Sequence, residues 1–305
     1  MIGTALARRY RTSRPVERAS YLLAATLFAS GVIHLVLLAV LGGPWSGPVS
    51  LRKAADFGGA FGLTLLAVTW ASGFVTMRAR VHDRLLAAFA LACAVEVAAI
   101  SIQAWRGVPS HFNTSTPTNA AFAFSAAGGG AVIIVVGVAF TVAALRRDEL
   151  VPRELRLAVV TGFASLLVAL GIGAAMIAIG TTVTRTDSLT AGYDAAIRLV
   201  PGHAAAMQGI LVLPPLAWLT AFTDWPTARR VRITALACAG FSLCASVIVL
   251  ESLLRINPLA LADAPIAGTS LALVGAAALV AAAVTVVRGV FAGSASTTPV
   301  GDVAG

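Results

Sequence analysis

Charge is what this sequence has least of. Only 11% of its 305 residues are Asp, Glu, Lys or Arg, against 58% that are hydrophobic. A soluble domain carries about 25% charged residues, so a surface wetted on all sides is excluded. Lysine is almost absent: Lys53 is the only one, and every other basic side chain is arginine. That bias fits a GC-rich genome. Cysteine is scarce too. Cys93, Cys238 and Cys244 lie inside apolar runs, with no C-x-x-C spacing and no flanking histidine, which excludes a disulfide framework and a zinc site. The four histidines, at 34, 82, 111 and 203, form no H-x-x-x-H or H-E-x-x-H pair, so no local metal signature exists. The cofactor is left unknown.

What is present is apolar sequence in long runs. A spanning helix needs about 20 apolar residues, and eight segments qualify: 20–41, 55–77, 84–105, 120–145, 155–181, 202–222, 232–256 and 265–291. Prolines stand in the connections, at 44, 48, 109, 117, 152, 226 and 258, where a helix can end or restart. The expectation is an all-α integral membrane protein, an eight-helix transmembrane bundle forming one domain over residues 20–291. A basic cytoplasmic segment (1–19) precedes it and a disordered cytoplasmic tail (292–305) follows. The run after the N-terminal arginines is too long for a signal peptide and lacks a small-x-small cleavage pattern, so it is expected to be retained.

Orientation follows from the basic residues. Alternate connections hold sixteen of them on one side and six on the other, and the positive-inside rule puts both termini in the cytoplasm. The net charge of +9 is therefore assigned to orientation and to anionic headgroups rather than to nucleic acid. A multi-pass protein of a cell membrane, the inner membrane of a bacterium, is the expected location. The partners expected are the lipid bilayer and a hydrophobic small molecule or lipid. A faint echo links R-G-V-P (Arg106 to Pro109) with R-I-N-P (Arg255 to Pro258) four helices later, as in a four-plus-four duplication.

Three of the outer connections carry Trp, His, Asn, Asp and Tyr, and the richest is Q-A-W-R-G-V-P-S-H-F-N-T-S-T-P-T-N, residues 103–119. Ionisable groups inside a span cost about 2.5–3.5 kcal/mol each on insertion scales. Glu96, Gln103 and Arg106 share a face of the third run and should form a polar stripe rising from mid-membrane to the outer mouth. Glu251 and Arg255 stand in the favourable i, i+4 order for an ion pair. Asp56 begins the second run, where a carboxylate suits a helix N-terminus. His34, His111 and His203 all fall on the outer side, while His82 is expected to be a solvated loop residue. Gly58-x-x-x-Gly62 and Gly128-Gly129-Gly130 should allow close helix packing, and Pro214-Pro215 should disturb the sixth helix.

Three functions fit these parts. The leading one is an enzyme whose polar pocket opens to the outer half of the bilayer and works by acid/base chemistry on a lipid or isoprenoid. In it Glu96, His111, His203 and Asp56 would be catalytic. Gln103, Trp105, Arg106, Asn113, Glu251, Arg255 and His34 would bind substrate, with Trp45, Phe57, Phe112, Phe122 and Phe124 packing its chain. A haem protein with axial His34 and His203 is the second. A small-solute or proton-coupled transporter using Glu96 is the third.

Overall fold

The computed structural model describes residues 1–256 and 265–295 of the chain. Among them there is no strand. Apolar sequence in lipid must satisfy its own backbone, and the helix does so within one segment. All eight expected runs are helices long and apolar enough to cross a membrane: α2 (Pro15–Leu41), α3 (Leu51–Ser72), α4 (Ala79–Trp105), α5 (Pro117–Ala144), α6 (Arg153–Thr186), α8 (Val200–Leu219), α9 (Thr227–Leu253) and α10 (Ile266–Ala295). Two short helices were not expected. They are α1 (Ile2–Thr12) before the first span and α7 (Leu189–Ile197) in the connection after α6. α10 runs to Ala295, past the expected start of the tail at 292. The rest of that tail, and Pro258 of the R-I-N-P echo, lie outside the described residues.

Small residues set the closest approaches. A Cβ added to Gly58 of α3 would stand 2.6 Å from the Gly31 nitrogen of α2, and one on Gly62 would stand 2.6 Å from the Phe28 nitrogen. Gly240 of α9 and Gly275 of α10 likewise touch backbone to backbone. The expected packing role of Gly58 and Gly62 is therefore met. α8 continues through Pro214 and Pro215.

The eight spans form two sets of four with four pairings in common, the second set adding a contact of α8 with α10. In the first set α2 packs on α3, α3 on α4, α2 on α4 and α4 on α5. In the second, α6 packs on α8, α8 on α9, α6 on α9 and α9 on α10. The sets meet through α5 with α6 and α3 with α8. The third helices of the sets, α4 and α9, also end alike. Gly107, just past α4, and Arg255, just past α9, adopt φ of 66° and 62°. Val108 N–H reaches the Gln103 carbonyl at 3.1 Å, and Ile256 N–H reaches the Glu251 carbonyl at 2.8 Å. Both are Schellman ends. They correct the register of the echo: Gln103 corresponds to Glu251, and Arg106 lies one place earlier than Arg255.

The arginine-rich end is tied together at its rim. His82 is buried there rather than solvated, against expectation. Its Nε2 lies 3.1 Å from Ser72 Oγ and its Nδ1 2.5 Å from Arg14 Nη2. Helical burial turned the ring inward, where α2, α3 and α4 meet.

Candidate functional site

The polar segment at the arginine-poor end is built on the Schellman end of α4. Gly107 takes the left-handed turn that a Cβ would resist, and the chain folds back over the helix. Gln103 is fully buried. Its Nε2 donates to the Pro109 carbonyl at 3.3 Å and to Asn119 Oδ1 at 3.2 Å. Arg106 donates to Gln103 Oε1 and, at 3.0 Å, to Asn119 Oδ1. Its guanidinium lies 5.6 Å from the centre of the Phe122 ring. Asn113 donates to the Pro109 carbonyl at 3.3 Å and accepts from Ser115 Oγ at 2.7 Å, while Asn119 Nδ2 donates to Ser115 Oγ at 3.2 Å. Gln103 and Arg106 are thus bonded to each other and to Asn119, and Asn113 joins them through the Pro109 carbonyl and Ser115. Residues expected to form a mouth form a cap, in which each bond adds about 0.5–1.5 kcal/mol.

The expected stripe divides at this cap. Glu96 lies two turns below Gln103, roughly 14 Å from the end of α4 by helical rise. It is buried, and its Oε2 has no hydrogen-bond partner. Gly129 and Gly130 of α5 make the room: an added Cβ would stand 3.2 Å from Glu96 Cγ and 3.4 Å from Oε1 respectively. Lys53 of α3 is close enough to act electrostatically on both Glu96 and His111. Its Nζ lies 5.6 Å from the centre of the Tyr193 ring on α7. His111 packs 5.7 Å from Phe57 and 5.9 Å from Phe112, centre to centre, with Nδ1 3.1 Å from Ser110 Oγ. Burial, and then the Lys53 charge, hold the His111 imidazole well below its usual pKa, so it is neutral at physiological pH. Phe112, at φ 62°, presses its ring into the notch at Gly180 of α6 and pins the cap to the second set of helices.

Lys53, Asn119 and the Gly129–Gly130 notch were missed as site residues. The signal for Lys53 was in the sequence. A chain that uses arginine everywhere else has one lysine, and the two are not interchangeable: the ammonium is the group whose protonation burial can readily alter.

The other expected site residues lie apart. His34 is buried on α2; its Nδ1 lies 2.7 Å from the Ser30 carbonyl, and its Nε2 accepts from Trp105 Nε1 at 3.0 Å. His203 of α8 has Nδ1 2.7 Å from the Ala169 carbonyl of α6, and its ring rests on Gly173. Asp56 is exposed and pairs with Arg52 at 3.6 Å, the helix-end role its position allowed. The expected Glu251–Arg255 pair is absent among the described ion pairs. Arg255 leaves the helix at positive φ, whereas Glu251 is buried with Oε1 facing Gly268 of α10 and unpartnered. An i, i+4 rule needs both residues inside the helix, and Arg255 lies just past its end.

The expected polar pocket is also not found. The two best-formed clefts have room for about one water each. One lies at the arginine-rich end, by Thr76, Asp148 and Arg156; the other lies under the cap, lined by Pro48, Ser50, Lys53, Ile100, Ala104, Val108 and Ser110. No group of three His, Cys, Asp or Glu able to hold a metal occurs among the described residues. No known family model matches the chain, and no curated protein or solved structure is recognisably similar to it.

Proposed function

We propose that this multi-pass membrane protein is a proton-coupled carrier of a small solute, with Glu96 taking up and releasing the proton and Lys53 as its charge partner. One observation carries the reading: the pair is confined to one of two similarly packed sets of helices. Seven residues before the Schellman residue Gln103 stands Glu96, and seven before Glu251 stands Cys244. Both face a glycine of the next span. Gly129 approaches Glu96 and the Ala92 carbonyl, while Gly275 approaches Cys244 and the Gly240 carbonyl. Lys53 is the third residue after the N-cap Ser50, and Gly202 is the third after the N-cap Leu199. Packing at these places is met by a thiol and a glycine in the second set. The carboxyl and the amine therefore have a purpose beyond packing, consistent with the cost of ionisable groups within a span.

Two four-helix units joined across a limited interface suit a carrier, whose units rock about a midplane site. The acid/base enzyme would also use Glu96, but it needs a chamber for a lipid or prenyl chain, and the two clefts described are about the size of one water. The haem reading loses its ligand, because His34 Nε2 is occupied by the Trp105 N–H, and α2 and α8 pack in different sets.

The test is purified protein in proteoliposomes loaded with a pH-sensitive dye and offered a panel of amino acids, sugars and small organic anions. Solute-dependent proton movement is expected in the wild type and in Cys244→Ala, and should be lost in Glu96→Gln. Proton movement in Glu96→Gln equal to that of the wild type would overturn the proposal.

A further inference from the structure

We infer that α1 is an anionic-lipid-binding element that lies in the headgroup layer at the arginine-rich end. At 11 residues it is too short to span a bilayer, and none of its residues is buried. It is nevertheless held in one attitude. Arg9 is turned inward, where its Nη2 donates to the Trp70 carbonyl at 2.8 Å and its guanidinium carbon lies 4.0 Å from the centre of the Phe74 ring. Ser13 Oγ donates to the Arg9 carbonyl at 2.8 Å, and Arg18 donates to the Ser13 carbonyl at 3.0 Å and the Arg11 carbonyl at 2.9 Å. These bonds clamp the α1–α2 corner from both sides.

The rotation of α1 is fixed by Tyr10, whose ring lies 6.2 Å from that of Tyr21 in the second turn of α2. The face carrying Tyr10 therefore looks along the spanning helix. Leu6 is one turn back on that face, and Leu6 and Tyr10 are 46% and 45% exposed. By helical periodicity Arg8 lies opposite that face and Arg11 on its flank, and both are exposed. The first twelve residues contain no acidic side chain. An apolar face turned toward the bilayer and a basic face turned toward water are the two halves of an interfacial helix, which draws its affinity from buried apolar area and anionic headgroups together. The charge complement commits the partner to an anionic phospholipid surface.

The full chain, in mixed micelles of phosphatidylcholine and phosphatidylglycerol, is washed in lipid-free detergent and its retained lipids are quantified. The wild type should be enriched in phosphatidylglycerol. The Arg8→Glu/Arg11→Glu variant should lose that enrichment, by about fivefold or more per arginine, while retaining phosphatidylcholine as before. Leu6→Asp should weaken the enrichment without altering charge on the basic face. The control is Arg146→Glu/Arg147→Glu, two exposed arginines of another connection at the same end. Equal loss in the control, or undiminished enrichment in the α1 variants, would overturn the inference. Phosphatidylcholine retention and a monodisperse elution profile exclude misfolding as the cause.

Discussion

The two sets of four helices are packed alike and furnished differently. α2 to α5 share four pairings with α6, α8, α9 and α10, and α4 and α9 close with the same hydrogen bonds. Yet the first set carries Glu96 and Lys53, where the second has Cys244 and Gly202. The first also closes its arginine-poor end with an amide and guanidinium cap. At the matching helix end, Arg255 is exposed and Glu251 faces α10. A helix pair in lipid needs small residues and satisfied backbones to pack, and at the places matching Glu96 and Lys53 the second set has only Cys244 and Gly202, its buried carboxyls Glu154 and Glu251 standing elsewhere.

The comparison breaks most visibly at the carboxyl. Glu96→Gln should remove solute-driven proton movement, a drop of tenfold or more on the scale of one lost electrostatic group, whereas Cys244→Ser should keep it. Proteoliposome flux reads both. The glycines facing these residues give the next effect, on stability. A Cβ on Gly275 would stand 2.6 Å from a backbone oxygen, whereas one on Gly129 meets the movable Glu96 side chain at 3.2 Å and the Ala92 carbonyl oxygen at 3.4 Å. Gly275→Ala should therefore cost about 1–3 kcal/mol, as overpacking does, and Gly129→Ala less, measured by thermal unfolding in detergent.

The cap gives two smaller effects. His111 has its pKa lowered by burial and by Lys53. Below a pH of about 6.5, the unfolded chain takes up a proton that the folded one refuses. Stability should be unaffected by this group at higher pH and fall as pH drops, by at most about 1.4 kcal/mol per pH unit. His111→Gln should flatten that slope, and an unchanged slope would remove the cap histidine from the account. Smallest is Trp105→Phe, which deletes the 3.0 Å bond to His34 and should cost about 1 kcal/mol. A double-mutant cycle with His34→Phe checks that the two effects are shared.

Sequence reading reached the spans because each needs only its own residues. Hydrophobic length and proline position gave eight helices to within a few residues at most ends. The short α1 and α7 escaped because no long apolar run marks them. For the site, Gln103, Arg106 and Asn113 were found as a group, since all lie within one short segment. Their hydrogen bonding within the segment was not foreseen, because a sequence does not show which donors and acceptors have already found partners. His34 and His203 looked like a pair only because nothing in a sequence says that α2 and α8 belong to different sets.

By itself, then, the sequence determined the class of protein, the number of spans and the presence of costly polar groups within them. Those follow from local composition and the absence of water in a bilayer. Only the tertiary structure decided which polar groups are satisfied and which, Glu96 and Glu251 among them, keep an oxygen without a partner. Glu96 became distinct through a glycine notch on α5, the Lys53 side chain from α3 and a counterpart 148 positions later at Cys244. Burial and partnership at each of these places depend on residues distant in the chain, which no local pattern records.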